Sequence, residues 1–176
     1  CYRGSSLGGF YGLKAAPGAR FAALALLCPA SEAVVLDALD EHSTDPTDLP
    51  GPAESPAESA VHPTRTSTVA TGEPPHWDTP ALRRYFEGES AVRNATLVTS
   101  AVLLIHARHD EVVPFDHSLE LMRALPGLAH LMALPEGSHT SAQHDPSLQR
   151  FTTVWLLERL AEKAALRSPT DAEPRP

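Results

Sequence analysis

Cysteine is scarce. The 176-residue chain holds two, Cys1 and Cys28, too few for a disulfide framework or a cysteine-rich zinc site. Long apolar runs are missing as well. The longest, Phe21 to Cys28, has eight residues, whereas a bilayer span takes about 20. Basic residues are outnumbered, 14 Lys and Arg against 22 Asp and Glu, for a net charge of −8. A nucleic-acid binder carries the opposite sign, because it must neutralise phosphates. With 42% apolar residues the chain can still bury a real core. The composition therefore points to a soluble globular protein acting on small molecules.

Residue 1 is Cys rather than Met, and a compact motif begins three residues later. The expectation is the C-terminal part of a longer protein. No signal or transit peptide is visible, which leans the reading toward the cytoplasm. Nothing in the pattern specifies an oligomer.

Gly4 to Ala16 reads as a tight turn running into a short helix stopped by Pro17-Gly18. Arg20 to Cys28 has the length of a buried strand, but its Ala and Leu content also suits a buried helix segment. Ser31 to Leu39 has helical spacing. From Glu41 to Pro80 there are eight prolines and one base, Arg65, against seven acids, so this stretch carries −6 of the total charge. Such a segment cannot repay the entropy of ordering it as a core, and residues 41–80 read as an inserted loop, lid or disordered stretch. A helix is expected near Ala81 to Glu87, a buried strand at Ala101 to Ala107, a helix at Ser118 to Leu125 and a short strand at His130 to Leu134. Asp145-Pro146 supplies an N-cap and a first-turn proline. The helix it opens is expected to face inward along Phe151, Val154, Leu157, Ala161 and Ala164. Residues 167–176 form a polar, Pro-rich tail. Strands alternating with helices imply one α/β layered domain over residues 1–166 with a mostly parallel sheet.

Gly4-Ser5-Ser6-Leu7-Gly8 fits the pattern G-x-S-x-G, with Ser6 at its centre. A serine raised on a sharp strand-to-helix turn needs a strained backbone, and close approach two residues either side favours glycine, here Gly4 and Gly8. The N–H of Leu7 would then point at a developing oxyanion. Ser5 fails this test, since Arg3 and Leu7 would occupy its glycine positions. A small-residue turn leading into a helix would produce the same five residues. Two further features narrow the choice. Asp110 follows the C-terminal end of the Ala101–Ala107 strand, where open α/β sheets place functional groups, although a lone loop Asp often only caps a turn. His139, in Glu136-Gly137-Ser138-His139-Thr140, lies 29 residues later between a strand and the last helix. The three occur in the order Ser, Asp, His, as α/β hydrolases have them.

Ser6 in GSSLGG, Asp110 in LLIHARHDEVVP and His139 in PEGSHTSAQHD together resemble the C-terminal half of a serine α/β hydrolase. The likeness is to the small esterase-like proteins grouped with dienelactone hydrolases and prolyl-oligopeptidase-like enzymes, and it covers residues 1–40 and 80–166. The resemblance implies an α/β-hydrolase fold with Ser6 as nucleophile, Asp110 as orienting acid and His139 as general base. It also implies an acyl-enzyme route on a small ester or activated acyl substrate, with a peptidase, an acyltransferase or a non-catalytic binding protein as alternatives. No metal or organic cofactor is required. Ala107 stands where relatives usually carry Gly. The family's earlier strands, and the loop that donates a second oxyanion N–H, are expected to lie outside this chain, which would make these residues alone a poor enzyme.

Other readings of the polar residues are available. His106, His109, Asp110, His139, His144 and Asp145 could assemble a metal site. Asp37 and Asp40 are fallback acids. His106 is expected to pack beside the Ser6 turn, His144 to help cap the last helix, and Cys28 to be a buried small hydrophobe.

Overall fold

The computed structural model describes residues 1–41 and 78–166, so the acidic segment from 42 to 77 and the tail from 167 to 176 lie outside the described residues. Four strands, β1 (Tyr2–Ser5), β2 (Ala23–Leu27), β3 (Ala101–Ala107) and β4 (Ala129–Leu134), form one sheet in the order β1-β2-β3-β4. Every pairing is parallel. Ser5 lies opposite Leu27, Leu27 opposite Ile105, and Ala107 opposite Leu134. All four strands therefore end on the same edge.

Among the described residues seven helices accompany the sheet: α1 (Leu7–Ala15), α2 (Glu32–Glu41), α3 (Thr79–Glu87), α4 (Ala91–Ala95) and α5 (Phe115–Ala124) between strands, then α6 (His139–His144) and α7 (Pro146–Ala165) after β4. The five residues of β2 are all inaccessible to solvent. Alternation along that strand sends Leu24 and Leu26 to one face, where they meet Phe10, Leu13, Phe86 and Leu121 from α1, α3 and α5. Ala23, Ala25 and Leu27 point the other way, under Leu148, Trp155 and Leu156 of α7. Helices on both faces explain why this run is apolar throughout rather than alternating. Ladder bonds on both sides of β2 decide for strand where its Ala and Leu content left helix open.

The last helix starts as the sequence predicts. Asp145 Oδ1 accepts the N–H groups of Ser147 at 2.6 Å and Leu148 at 3.1 Å, with Pro146 in the first turn. Its inward face is not the expected one. Phe151, Val154 and Leu157 are exposed, while Thr152 is fully buried and Leu156 nearly so. Thr152 can be buried because its hydroxyl donates within the helix to the Leu148 and Gln149 carbonyls and accepts from Arg3 Nε at 3.0 Å. A satisfied threonine on the inner face hides that face from an apolar-stripe count. Leu156→Ala should therefore cost about 2–4 kcal/mol in urea unfolding, and Leu157→Ala, at 60% exposure, less than about 0.5 kcal/mol. The reverse order would restore the Phe151–Val154–Leu157 stripe to the core.

Candidate active site

Ser6 sits between β1 and α1 with φ 50° and ψ −122°, outside the regions an L-residue occupies without cost. Four bonds hold it there. Its N–H donates to Leu27 O at 2.9 Å, and its carbonyl accepts from Gly9 N–H at 2.8 Å, Ala30 N–H at 3.0 Å and Phe10 N–H at 3.3 Å. Leu7 opens α1, so its N–H has no intrahelical acceptor.

The two motif glycines do different work. A Cβ on Gly4 would lie 2.5 Å from the Gly8 carbonyl oxygen, so only glycine fits. Gly8 itself has room, since the nearest atom to an added Cβ is the Tyr2 hydroxyl at 3.9 Å. The close approach that the motif predicts at Gly8 is not found there. What Gly8 contributes is its carbonyl, which packs on Gly4 and accepts from Tyr2 Oη at 2.6 Å. The tight position is one residue later, where a Cβ on Gly9 would lie 2.7 Å from Pro29 Cβ.

Asp110 both caps its loop and faces His139. Oδ1 accepts the N–H groups of Val112 at 2.9 Å and Val113 at 2.8 Å. Oδ2 lies 2.7 Å from His139 Nδ1. The carboxylate side chain is fully buried. Burial alone would raise its pKa, but the Val113 N–H, His139 and the Val112 N–H outweigh that and hold it below its ordinary value. An ionised carboxylate only accepts, so the His139 proton sits on Nδ1 and the Nε2 lone pair is free. His139 opens α6 behind a Ser138–Ser141 capping box, and its N–H donates to Glu111 Oε2 at 3.1 Å. Glu111 is a support that sequence reasoning missed, because nothing distinguishes it from any exposed loop acid.

His106 does not pack beside the Ser6 turn. It is buried behind Asp110, with Nε2 3.0 Å from Val113 O and 3.3 Å from Asp110 Oδ2, and Nδ1 2.7 Å from Ser118 Oγ. Burial lowers its pKa, so the ring is neutral, donating from Nε2 to the carbonyl and accepting at Nδ1 from Ser118. Cys28 is buried as expected, at φ 43°. It is also part of the site, since its Sγ, an Asp110 oxygen and a His139 nitrogen all lie within 4.8 Å of one another. Burial, with the Asp110 charge adding to it, pushes the thiol pKa up to about 12. These three atoms could hold a metal ion only after that thiol gave up its proton. The metal set suggested by sequence does not assemble among the described residues: His109 and His144 are exposed, and Asp145 alone caps α7. Asp37 and Asp40 are exposed on α2, and Asp40 pairs with Arg83.

Ser6 and the Asp110–His139 pair share the sheet edge, joined by the end of β2. Leu27 and Ala30 hold Ser6, and Cys28 between them touches Asp110. Among the described residues no hydrogen bond joins Ser6 to His139.

Four parallel strands flanked by helices, with these loops on one edge, define an α/β-hydrolase-like fold. The model of the prolyl oligopeptidase family matches residues 57–163, more than half of the chain and including Asp110 and His139. The chain belongs to that family. No curated protein matches the sequence. Among solved structures it is similar to Est1E from Butyrivibrio proteoclasticus, at 21% identity and TM-score 0.55, over 90% of this chain and 60% of that one. It is also similar to acetyl xylan esterase 1 from Thermoanaerobacterium sp. JW/SL YS485, at 16% identity and TM-score 0.54, over 89% of this chain and 44% of that one. A third is the Pyrococcus horikoshii acylaminoacyl peptidase, at 16% identity and TM-score 0.53, over 97% of this chain and 24% of that one. The chain thus spans less than two thirds of these relatives.

Two outcomes follow from this geometry. Gly9→Ala should lower stability by about 1–3 kcal/mol through overpacking against Pro29, whereas Gly8→Ala should change the melt little or raise it. Equal losses at both would mean that Gly8 is the tight position after all. Because the folded pKa of Asp110 lies below its ordinary 3.8, the stability it contributes is present above that pH and is lost as pH falls through the folded value. Asp110→Asn should flatten the acid limb of the stability curve. An acid limb identical in the two proteins would show that this carboxylate is not held ionised.

Proposed function

We propose that this chain carries the catalytic machinery of a serine hydrolase acting on a small ester or similarly activated acyl compound. The observation that carries the reading is a strained serine on a strand-to-helix turn sharing one sheet edge with a buried Asp–His pair. His139 Nε2 takes the proton from Ser6 Oγ as that oxygen attacks the carbonyl carbon. The Leu7 N–H stabilises the oxyanion that develops. The proton then passes to the leaving group, and water repeats the cycle on the acyl-enzyme, freeing the acid and restoring Ser6. Asp110 keeps the Nδ1–H tautomer and stabilises the imidazolium. The lowered Asp110 pKa supports that role.

Membership of the prolyl oligopeptidase family favours a second reading, in which the same three residues cleave a peptide bond. Initial rates on p-nitrophenyl acetate and on a peptide p-nitroanilide separate the two. An ester preference of several powers of ten supports the first, and the reverse supports the second.

Ser6→Ala should abolish labelling by a fluorophosphonate probe and lower kcat by about 10⁴ to 10⁶, and His139→Ala should lose as much. Ser5→Ala should stay within about tenfold, and EDTA should change nothing. Labelling that survives Ser6→Ala but not Ser5→Ala would sink the assignment.

A further inference from the structure

The apolar stripe that periodicity sends inward along α7 lies outside. Phe151 is 41%, Val154 49% and Leu157 60% exposed, because Thr152 and Leu156 take the inner face. Three large apolar side chains, each about one helical turn from the next, face water together. Contiguous exposure of that kind marks an interaction surface, where a single exposed leucine would not.

The residues around the stripe are symmetric about Val154. Positions three, four and seven residues away in either direction share its face of the helix. They are Phe151 and Leu157, Arg150 and Glu158, Ser147 and Ala161, and all are exposed. A second α7 laid antiparallel across a two-fold axis at Val154 brings each residue before Val154 onto its counterpart after it. Val154 then meets Val154, Phe151 meets Leu157 twice, and Arg150 reaches Glu158 twice. Ser147 and Ala161, small at both ends, let the helices approach. A parallel pair would set Arg150 on Arg150 and Glu158 on Glu158, so the charges select the antiparallel arrangement. Among the described residues α7 makes one ion pair, Arg159 with Glu162 at 2.6 Å, and neither Arg150 nor Glu158 joins it.

A cavity adjoins the stripe. It holds about 410 Å³ between α7 and β4, and Phe151 lines it with Leu103, Leu131, Met132, Trp155 and one polar residue, His130. Leu157 of a second copy arrives at Phe151, beside this opening.

We infer that the outer face of α7 is a docking surface for a second copy of this chain, joined as an antiparallel helix pair about Val154. One helix pair buries less than the roughly 1,200 Å² at which standard interfaces begin, so the dimer forms at micromolar concentrations and above. The start of α7 follows α6 at the catalytic edge. Reversing one helix against the other therefore points the two catalytic edges in opposite directions and leaves both open. The inference goes beyond the hydrolase reading and uses no group of that site.

The test is sedimentation velocity of the complete protein from roughly 5 to 500 µM, with thermal melts taken at the dilute end, where dimerisation adds nothing to stability. The mean mass should rise from monomer toward dimer over that range. Val154→Lys, which would set two ammonium groups on the axis, should keep the protein monomeric throughout and leave the melt unchanged. Arg150→Glu and Glu158→Arg should each weaken the dimer about five- to twentyfold. The double variant Arg150→Glu/Glu158→Arg should return to within about twofold of the parent. A monomer at the top of the range would overturn the inference. So would a dimer that survives Val154→Lys, since its interface would lie on another face. Loss of the fold in Val154→Lys would overturn it too, by showing that another part of the same chain covers the stripe. Single charge variants as tight as the parent, or a double variant as weak as the singles, would sink the antiparallel pairing.

Discussion

Parallel pairing of β2 with β3, buried on both faces, governs where everything else falls. The pair needs apolar side chains pointing both ways, which β2 provides with Leu24 and Leu26 toward α1, α3 and α5 and with Ala23, Ala25 and Leu27 toward α7. Because the strands run in one direction, their C-terminal ends meet on one edge. The polar residues that cannot enter the core therefore converge there: Ser6 after β1, Cys28 to Ser31 after β2, Asp110 after β3 and His139 after β4.

Local strain is held in place by bonds from that same edge. Ser6 and Cys28 are the two non-glycine residues with positive φ among those described, each costing about 1–3 kcal/mol. They brace one another through the Leu27 and Ala30 bonds to Ser6. The Cys28 N–H is fixed in turn by Ile105 O at 2.8 Å. A side chain on Gly4 or Gly9 would push this bracing apart. Asp110 economises in the same way, using one oxygen to close its own loop and the other to orient an imidazole.

Two buried histidines on this edge have their pKa lowered by burial. His106 has both nitrogens paired and stiffens the junction between β3 and α5. His117 sits in the first turn of α5, its Nδ1 3.9 Å from Glu120 Oε2.

Much is legible in the sequence. The five-residue punctuation of Gly4 to Gly8, the Ala101–Ala107 strand and the Asp145-Pro146 helix start follow from local rules: turn sterics, burial of a continuous apolar run, and capping of orphan N–H groups. Such rules act within a few residues, so sequence alone determines them. The inward face of α7, the shift of close packing from Gly8 to Gly9, the place of His106 behind Asp110, and the approach of Cys28 and Glu111 to the site were decided by tertiary structure. Each depends on a partner outside the local turn: Arg3 donating to Thr152, Pro29 meeting Gly9, the Val113 carbonyl accepting from His106. Hydrophobic periodicity records how apolar a residue is, but a polar group becomes a good inner residue only when a remote atom completes its hydrogen bonds.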